Sequence, residues 1–88
     1  MLEIILDERD FASPSDVHEL LADQLDFPNY YGQNLSALWD CLGDLDDDVS
    51  FIVIRIDDAA ARQEWFDRLV RVLVRADEQL DNIQTIVR

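Results

Sequence analysis

Four consecutive apolar residues, Phe51-Ile52-Val53-Ile54, constrain the fold of this chain more than any other feature. A strand with one wet face alternates apolar and polar residues. An unbroken apolar run implies a strand flanked on both sides and covered on its faces, as in a parallel sheet. This segment therefore belongs at the centre of a sheet, and the rest of the chain must supply its neighbours.

Leu2 to Leu6 is a β-prone stretch that ends in the polar turn Asp7-Glu8-Arg9-Asp10, and Ile83 to Val87 is a second one, entered through Asp81-Asn82. Helical signals lie between them. Ser13, Pro14 and Asp16 are placed as N-cap, first helical residue and capping-box acid, and Val17, Leu20, Leu21 and Leu25 follow at helical spacing. Phe27-Pro28 should end that helix, because the residue before a proline is pushed out of the α region. Asn34 is a suitable N-cap for a second helix, with Leu35, Leu38, Trp39 and Leu42 at i, i+3, i+4 and i+7 as its buried stripe. At 100° per residue Gln33, Ser36, Asp40 and Asp44 share the opposite side, Trp39 sits at the border, and Gly43 closes the helix. After Asp57-Asp58 the sequence is helical to about Leu80, with a break expected near Gln63 or Glu64. The order β-α-α-β-α-β with right-handed crossovers predicts an α/β fold: one two-layer domain over residues 1–88, a three-stranded parallel sheet in order 1-2-3, and the helices packed on one face.

A domain of 88 residues buries only about 60–65% of its unfolded surface, so an exposed binding face suits it better than a deep cleft. The chain carries 20 acids and 7 bases, all Arg, for a net charge of −13. Between Asp10 and Ile54 there are ten carboxylates (Asp10, Asp16, Glu19, Asp23, Asp26, Asp40, Asp44, Asp46, Asp47 and Asp48) and no base. Such a field repels nucleic-acid phosphate and anionic membrane and speeds encounter with a basic protein. Cys41 is the only cysteine, which fits a reducing compartment. The amino-terminal residues read as a strand and not as a signal peptide, and no apolar stretch approaches a membrane span. Together these features place the protein in the cytoplasm, as a monomer.

Chemistry-bearing constellations are sparse. His18 is the sole histidine, with no Ser or Cys partner at a motif spacing, and reads as a surface or semi-buried helix residue. Cys41 lies beside an apolar stripe among acids, which raise a thiol's pKa, so it reads as packing. Asp44, Asp46 and Asp48 have the spacing that opens a calcium loop. The loop, however, has Val49 where Gly is needed and Arg55 where Glu is needed. Arg68, Arg71 and Arg75 form a stripe that could bind an anion. The simpler reading is that they lie over apolar surface or pair with acids such as Asp67 and Glu78. No catalytic residue, metal ligand or cofactor site is assigned.

What remains is Tyr30-Tyr31-Gly32-Gln33-Asn34-Leu35-Ser36-Ala37-Leu38-Trp39-Asp40. Core packing accounts for the leucines and much of Trp39, but not for two tyrosines and a glycine grouped against an outward aspartate. From Pro28 to Leu42 the pattern Pro-x-Tyr-Tyr-Gly-x-Asn-Leu-x-Ala-Leu-Trp-Asp-x-Leu resembles the signature of the barstar family of ribonuclease inhibitors, with weaker similarity in length and element order over the whole chain. The resemblance implies a small α/β domain whose second helix and preceding loop plug a ribonuclease active site. It implies that Asp40 stands in for substrate phosphate, that Tyr30 is the aromatic stacking partner, and that Gly32, Asn34, Leu35 and Trp39 frame the contact.

Three positions depart from the pattern. Ser36 stands where the family carries a second acid one turn before the key Asp, Leu45 replaces a Trp, and Arg75 aligns with an interface Glu. Asp44 and the Asp46-Asp47-Asp48 run are placed to supply compensating charge. The candidate partner-binding residues are Tyr30, Gly32, Asn34, Leu35, Ser36, Trp39, Asp40, Gly43, Asp44 and Asp47. The implied partner is a basic ribonuclease or nuclease toxin bound 1:1, with partner choice altered from the family's by the changes at Ser36, Leu45 and Arg75. Two other readings stay open at this point: an acidic binding module for a basic partner that is not a nuclease, and an acidic enzyme or metal protein using the Asp44–Asp48 loop.

Overall fold

The computed structural model describes residues 2–88; Met1 lies outside them. Strand β1 (Leu2–Asp7), helix α1 (Pro14–Leu25), helix α2 (Leu35–Gly43), strand β2 (Val49–Ile54), helix α3 (Glu64–Gln79) and strand β3 (Ile83–Val87) follow in that order. Single 3-10 turns at Glu8–Asp10 and Ala59–Ala61 adjoin β1 and precede α3. The sheet is parallel throughout in order β1-β2-β3, with β2 central as its composition requires.

Register decides which strand residues face the helices. Ile4 lies opposite Phe51 and Leu6 opposite Val53, while Val49 lies opposite Ile83. All six are buried, in one cluster with Val17 and Leu21 of α1, Leu38 and Leu42 of α2, and Phe66, Leu69 and Leu73 of α3. Thr85 takes a core-facing position on β3 and donates its hydroxyl to the Leu73 carbonyl at 2.8 Å, fixing β3 against α3. The helices therefore form one layer on one face.

The other face differs from expectation. Ile5, Ile52 and Ile86 form a row across the three strands, and Ile5 and Ile86 are exposed while Ile52 is half-buried. The apolar run at Phe51–Ile54 reflects a strand hidden on both flanks and covered by helices on one face only.

Local signals set the boundaries. Asp16 accepts from the Ser13 and Ala12 backbone amides at 3.3 and 3.0 Å, stabilising the start of α1 next to Pro14. The helix ends at Leu25, two residues before Phe27-Pro28. Asp26 adopts a left-handed cap (φ 54°), and the Phe27 amide closes back on the Ala22 carbonyl at 3.0 Å. Gly43 is the last residue of α2 and has no positive φ, so its expected role as a left-handed terminator is not used; Asp44 caps the helix in the right-handed region. The break before α3 falls at Arg62 and Gln63, both extended, near where it was expected; the Ala59–Ala61 turn precedes it, with Asp58 accepting from the Ala60 amide at 3.0 Å.

A buried carboxylate joins the sheet to α3. Glu8 has no exposed surface and accepts from Arg55 Nε (2.9 Å), the Ile56 amide (3.3 Å) and the Gln63 amide (2.7 Å). Arg55 also pairs with Asp67 and lies over the Phe66 ring at 5.7 Å. Burial works against the Glu8 charge, but the bonds from Arg55, Gln63 and Ile56 outweigh it and hold its pKa below the ordinary value.

Candidate functional site

The loop from Asp26 to Asn34 is held down by aromatic packing. Phe27 is buried, and Tyr31 packs on it at a centroid distance of 4.9 Å and on His18 of α1 at 5.6 Å. The Tyr31 hydroxyl meets His18 Nδ1 at 2.5 Å. His18 is therefore buried, 4% exposed, where the sequence suggested a surface or semi-buried residue; the loop folds over α1 and covers it. Burial lowers the pKa of His18 and raises that of Tyr31, so both are neutral near pH 7. With the ring proton on Nε2, the tyrosine hydroxyl donates to Nδ1. Anchoring Tyr31 leaves its neighbour Tyr30 projecting, 88% exposed.

The entry to α2 is equally specified. Asn34 Oδ1 accepts from the Ala37 amide at 2.8 Å, and its Nδ2 donates to the Gly32 carbonyl at 3.3 Å. A Cβ on Gly32 would lie 3.1 Å from that same Nδ2, so a side chain there would press on the cap. Gln33 between them has a positive φ of 51°, which turns the chain into the helix.

Along α2, Leu38 and Leu42 are buried and Leu35 and Trp39 half-buried, while Gln33, Ser36, Asp40 and Asp44 are exposed, as the helical spacing predicts. Asp40 stands on a ridge between two open hollows. On one side a hollow of about 300 Å³ is lined by Tyr30, Gly32, Asp44 and Asp26 together with Tyr31, Cys41 and Leu45. Three carboxylates and no base line it. On the other side a hollow of about 460 Å³ is lined by Leu35, Ser36 and Trp39 of α2 and by Arg71, Val72 and Arg75 of α3.

The structure thus gathers Tyr30, Gly32, Leu35, Ser36, Trp39, Asp40 and Asp44 around one ridge. Asn34 acts as the cap beneath it. Gly43 is exposed with open space around it, and Asp47 lies in the loop that follows; neither lines these hollows. That loop is tied down by Asn82 Nδ2, which donates to the Leu45 and Asp47 carbonyls at 2.8 and 2.9 Å. Among the described residues no group of three or more His, Cys, Asp or Glu is arranged to hold a metal ion. Burial, then Asp44 and Asp40, push the Cys41 thiol up, away from thiolate character.

The arginine stripe differs from its expected arrangement. Arg68 pairs with Glu64 at 2.9 Å, and Asp67 pairs with Arg55, the residue after β2. Arg71 and Arg75 are exposed and make no ion pair among the described residues. Sequence reasoning left Arg71 and Val72 out of the site. Arg71 lies three residues after Arg68 and Val72 four before Ala76, spacings readable from the sequence, but not which arginines a neighbour would claim.

Fold and site together define a class: a small two-layer parallel α/β domain presenting a carboxylate ridge on its second helix. The family model described as Barstar (barnase inhibitor) matches residues 1–87. The chain belongs to the barstar family. It is also similar to a Bacillus subtilis (strain 168) protein named "Putative ribonuclease inhibitor YrdF", 60% identical over 42 residues. That match spans about half of each chain, 48% of this one and 46% of the relative.

Proposed function

We propose that this protein is an inhibitor of a basic ribonuclease or nuclease toxin. The α2 face and the loop before it cover the enzyme's active site, and Asp40 occupies the position of a substrate phosphate. The observation that carries this reading is the exposed Asp40 carboxylate, fixed on a helix, with Tyr30 beside it and three carboxylates but no base lining the hollow on the Tyr30 side. Family membership and the printed name of the Bacillus relative support it.

The physical case is direct. A site built to hold phosphate is rich in Arg, Lys and His, and a carboxylate such as Asp40, in no ion pair among the described residues, forms short charge-assisted bonds to such groups. The ten carboxylates between Asp10 and Ile54 add a long-range field that speeds association. Tyr30 offers a flat, rigid surface on which a ring or guanidinium stacks at low entropic cost. The protein acts without catalysis or cofactor, in the cytoplasm, as a monomer that binds its target 1:1, in the manner of an immunity protein.

The test is a cleavage assay with small basic microbial ribonucleases, barnase among them. The wild type should abolish cleavage of RNA by its target at equimolar ratio. Asp40→Ala should fold as well as wild type, since the side chain is exposed. It should also bind at least roughly 30-fold more weakly, the equivalent of losing about 2 kcal/mol of bonding to a charged group. Equal potency of variant and wild type would refute the mechanism. Tight binding that leaves cleavage intact would instead identify a module for a basic partner other than a nuclease.

A further inference from the structure

Of the seven bases in this chain, two stand free beside the Asp40 ridge. Arg71 and Arg75, one turn apart on α3, line the same hollow as Asp40 and Ser36, are exposed, and make no ion pair among the described residues. Arg9, Arg55 and Arg68 are paired with carboxylates and Arg62 donates to the Ile56 carbonyl, whereas Arg71 and Arg75 face the Asp40 ridge with no acid partner among the described residues. The two hollows flanking Asp40 therefore carry opposite charge. One joins Asp40 to Asp26 and Asp44, and the other joins it to two arginines.

Resting on the inhibitor reading above, we infer that Arg71 and Arg75 determine specificity by receiving a carboxylate of the target nuclease next to its phosphate-binding residues. A uniformly basic site would satisfy Asp40 and the acidic hollow but would set its own cations against two guanidiniums. Like charges brought together in a drying interface cost enough to exclude a partner. A nuclease with a Glu or Asp beside its phosphate site turns that repulsion into a planar, bidentate pairing for which Arg is well shaped. The face thus reads charge in two places: acid for the phosphate pocket, base for an adjoining carboxylate. Asp40 contributes affinity toward any such nuclease, while the arginines choose among them.

The experiment measures dissociation constants for wild type, Arg71→Glu/Arg75→Glu and Asp40→Ala against barnase and other small basic microbial ribonucleases of known structure. The nucleases are sorted by whether a carboxylate lies beside the phosphate-binding residues. Both arginines are exposed, so circular dichroism and melting should show the double variant folded. Wild type should favour the carboxylate-bearing nucleases, and the double variant should shift the ratio of affinities at least roughly tenfold toward the others. Asp40→Ala should weaken every bound nuclease alike. An unchanged rank order in the double variant, with Asp40→Ala still damaging, would overturn the specificity assignment and leave the inhibitor reading standing. Indifference to Asp40→Ala, or binding to no ribonuclease, would overturn both.

Discussion

Replacing Glu8 with alanine should be among the most destabilising single changes in this protein, although Glu8 is far from any apolar stripe in type. The carboxylate is fully buried and accepts three bonds, from Arg55, Ile56 and Gln63. Truncation leaves two backbone N–H groups without their acceptor, at about 1 kcal/mol or more each. It also removes one partner of a buried ion pair. That loss alone costs about 3–5 kcal/mol where no other acid is at hand, but Arg55 retains Asp67, so the lower end applies. The total is about 5 kcal/mol, against roughly 4–13 kcal/mol for the stability of a domain this size. Thermal unfolding should show Tm falling by roughly 20 °C or more. Asp67→Ala serves as the internal control. Its side chain is 41% exposed, and its removal should cost no more than about 1 kcal/mol. A Glu8→Ala protein within about 1 kcal/mol of wild type, or one no worse than Asp67→Ala, would refute the view that this network ties β1, β2 and α3 together.

Tyr31→Phe should cost about 1–3 kcal/mol by leaving buried His18 without its partner, measured by urea unfolding. The same pair makes stability depend on pH. The folded pKa of His18 lies below its ordinary 6.5, so the unfolded chain takes up the proton first. The contribution is complete above about that pH and is lost as pH falls through the folded value. Glu8, also lowered, acts in the same direction below its ordinary 4.5, and melting temperature should therefore decline in two stages on acidification. His18→Gln should remove the upper stage and leave the lower one. Asn34→Ala should cost about 1 kcal/mol through loss of the α2 cap, and a melting temperature unchanged from wild type would contradict that role.

Much of the architecture was legible because it rests on local rules. The apolar run at Phe51–Ile54 placed β2 in the centre, Ser13-Pro14 and Asn34 marked helix starts, and helical spacing put Asp40 outward with Leu38 inward. The misreadings concern contacts between segments distant in sequence. His18 is buried because the loop carrying Tyr31 folds over it, which no helical wheel of α1 encodes. Arg71 makes no ion pair among the described residues because Asp67, one turn before it, turns to Arg55 just after β2. Gly43 looked like a terminator by residue type, yet the backbone leaves α2 through Asp44 without a left-handed residue. At the site, residue types and helical phase were readable in advance; the opposite charge of the two hollows required the packing of α2 against α3.

The central claim is that Asp40 takes the place of a phosphate in a nuclease active site, and competition tests it most directly. A nucleoside 3′-monophosphate bound to the inhibited ribonuclease should exclude this protein. The apparent dissociation constant should then rise in proportion to nucleotide concentration, and Asp40→Ala should compete far less well for the same enzyme. Formation of the complex with undiminished affinity on a nucleotide-saturated enzyme would contradict the account.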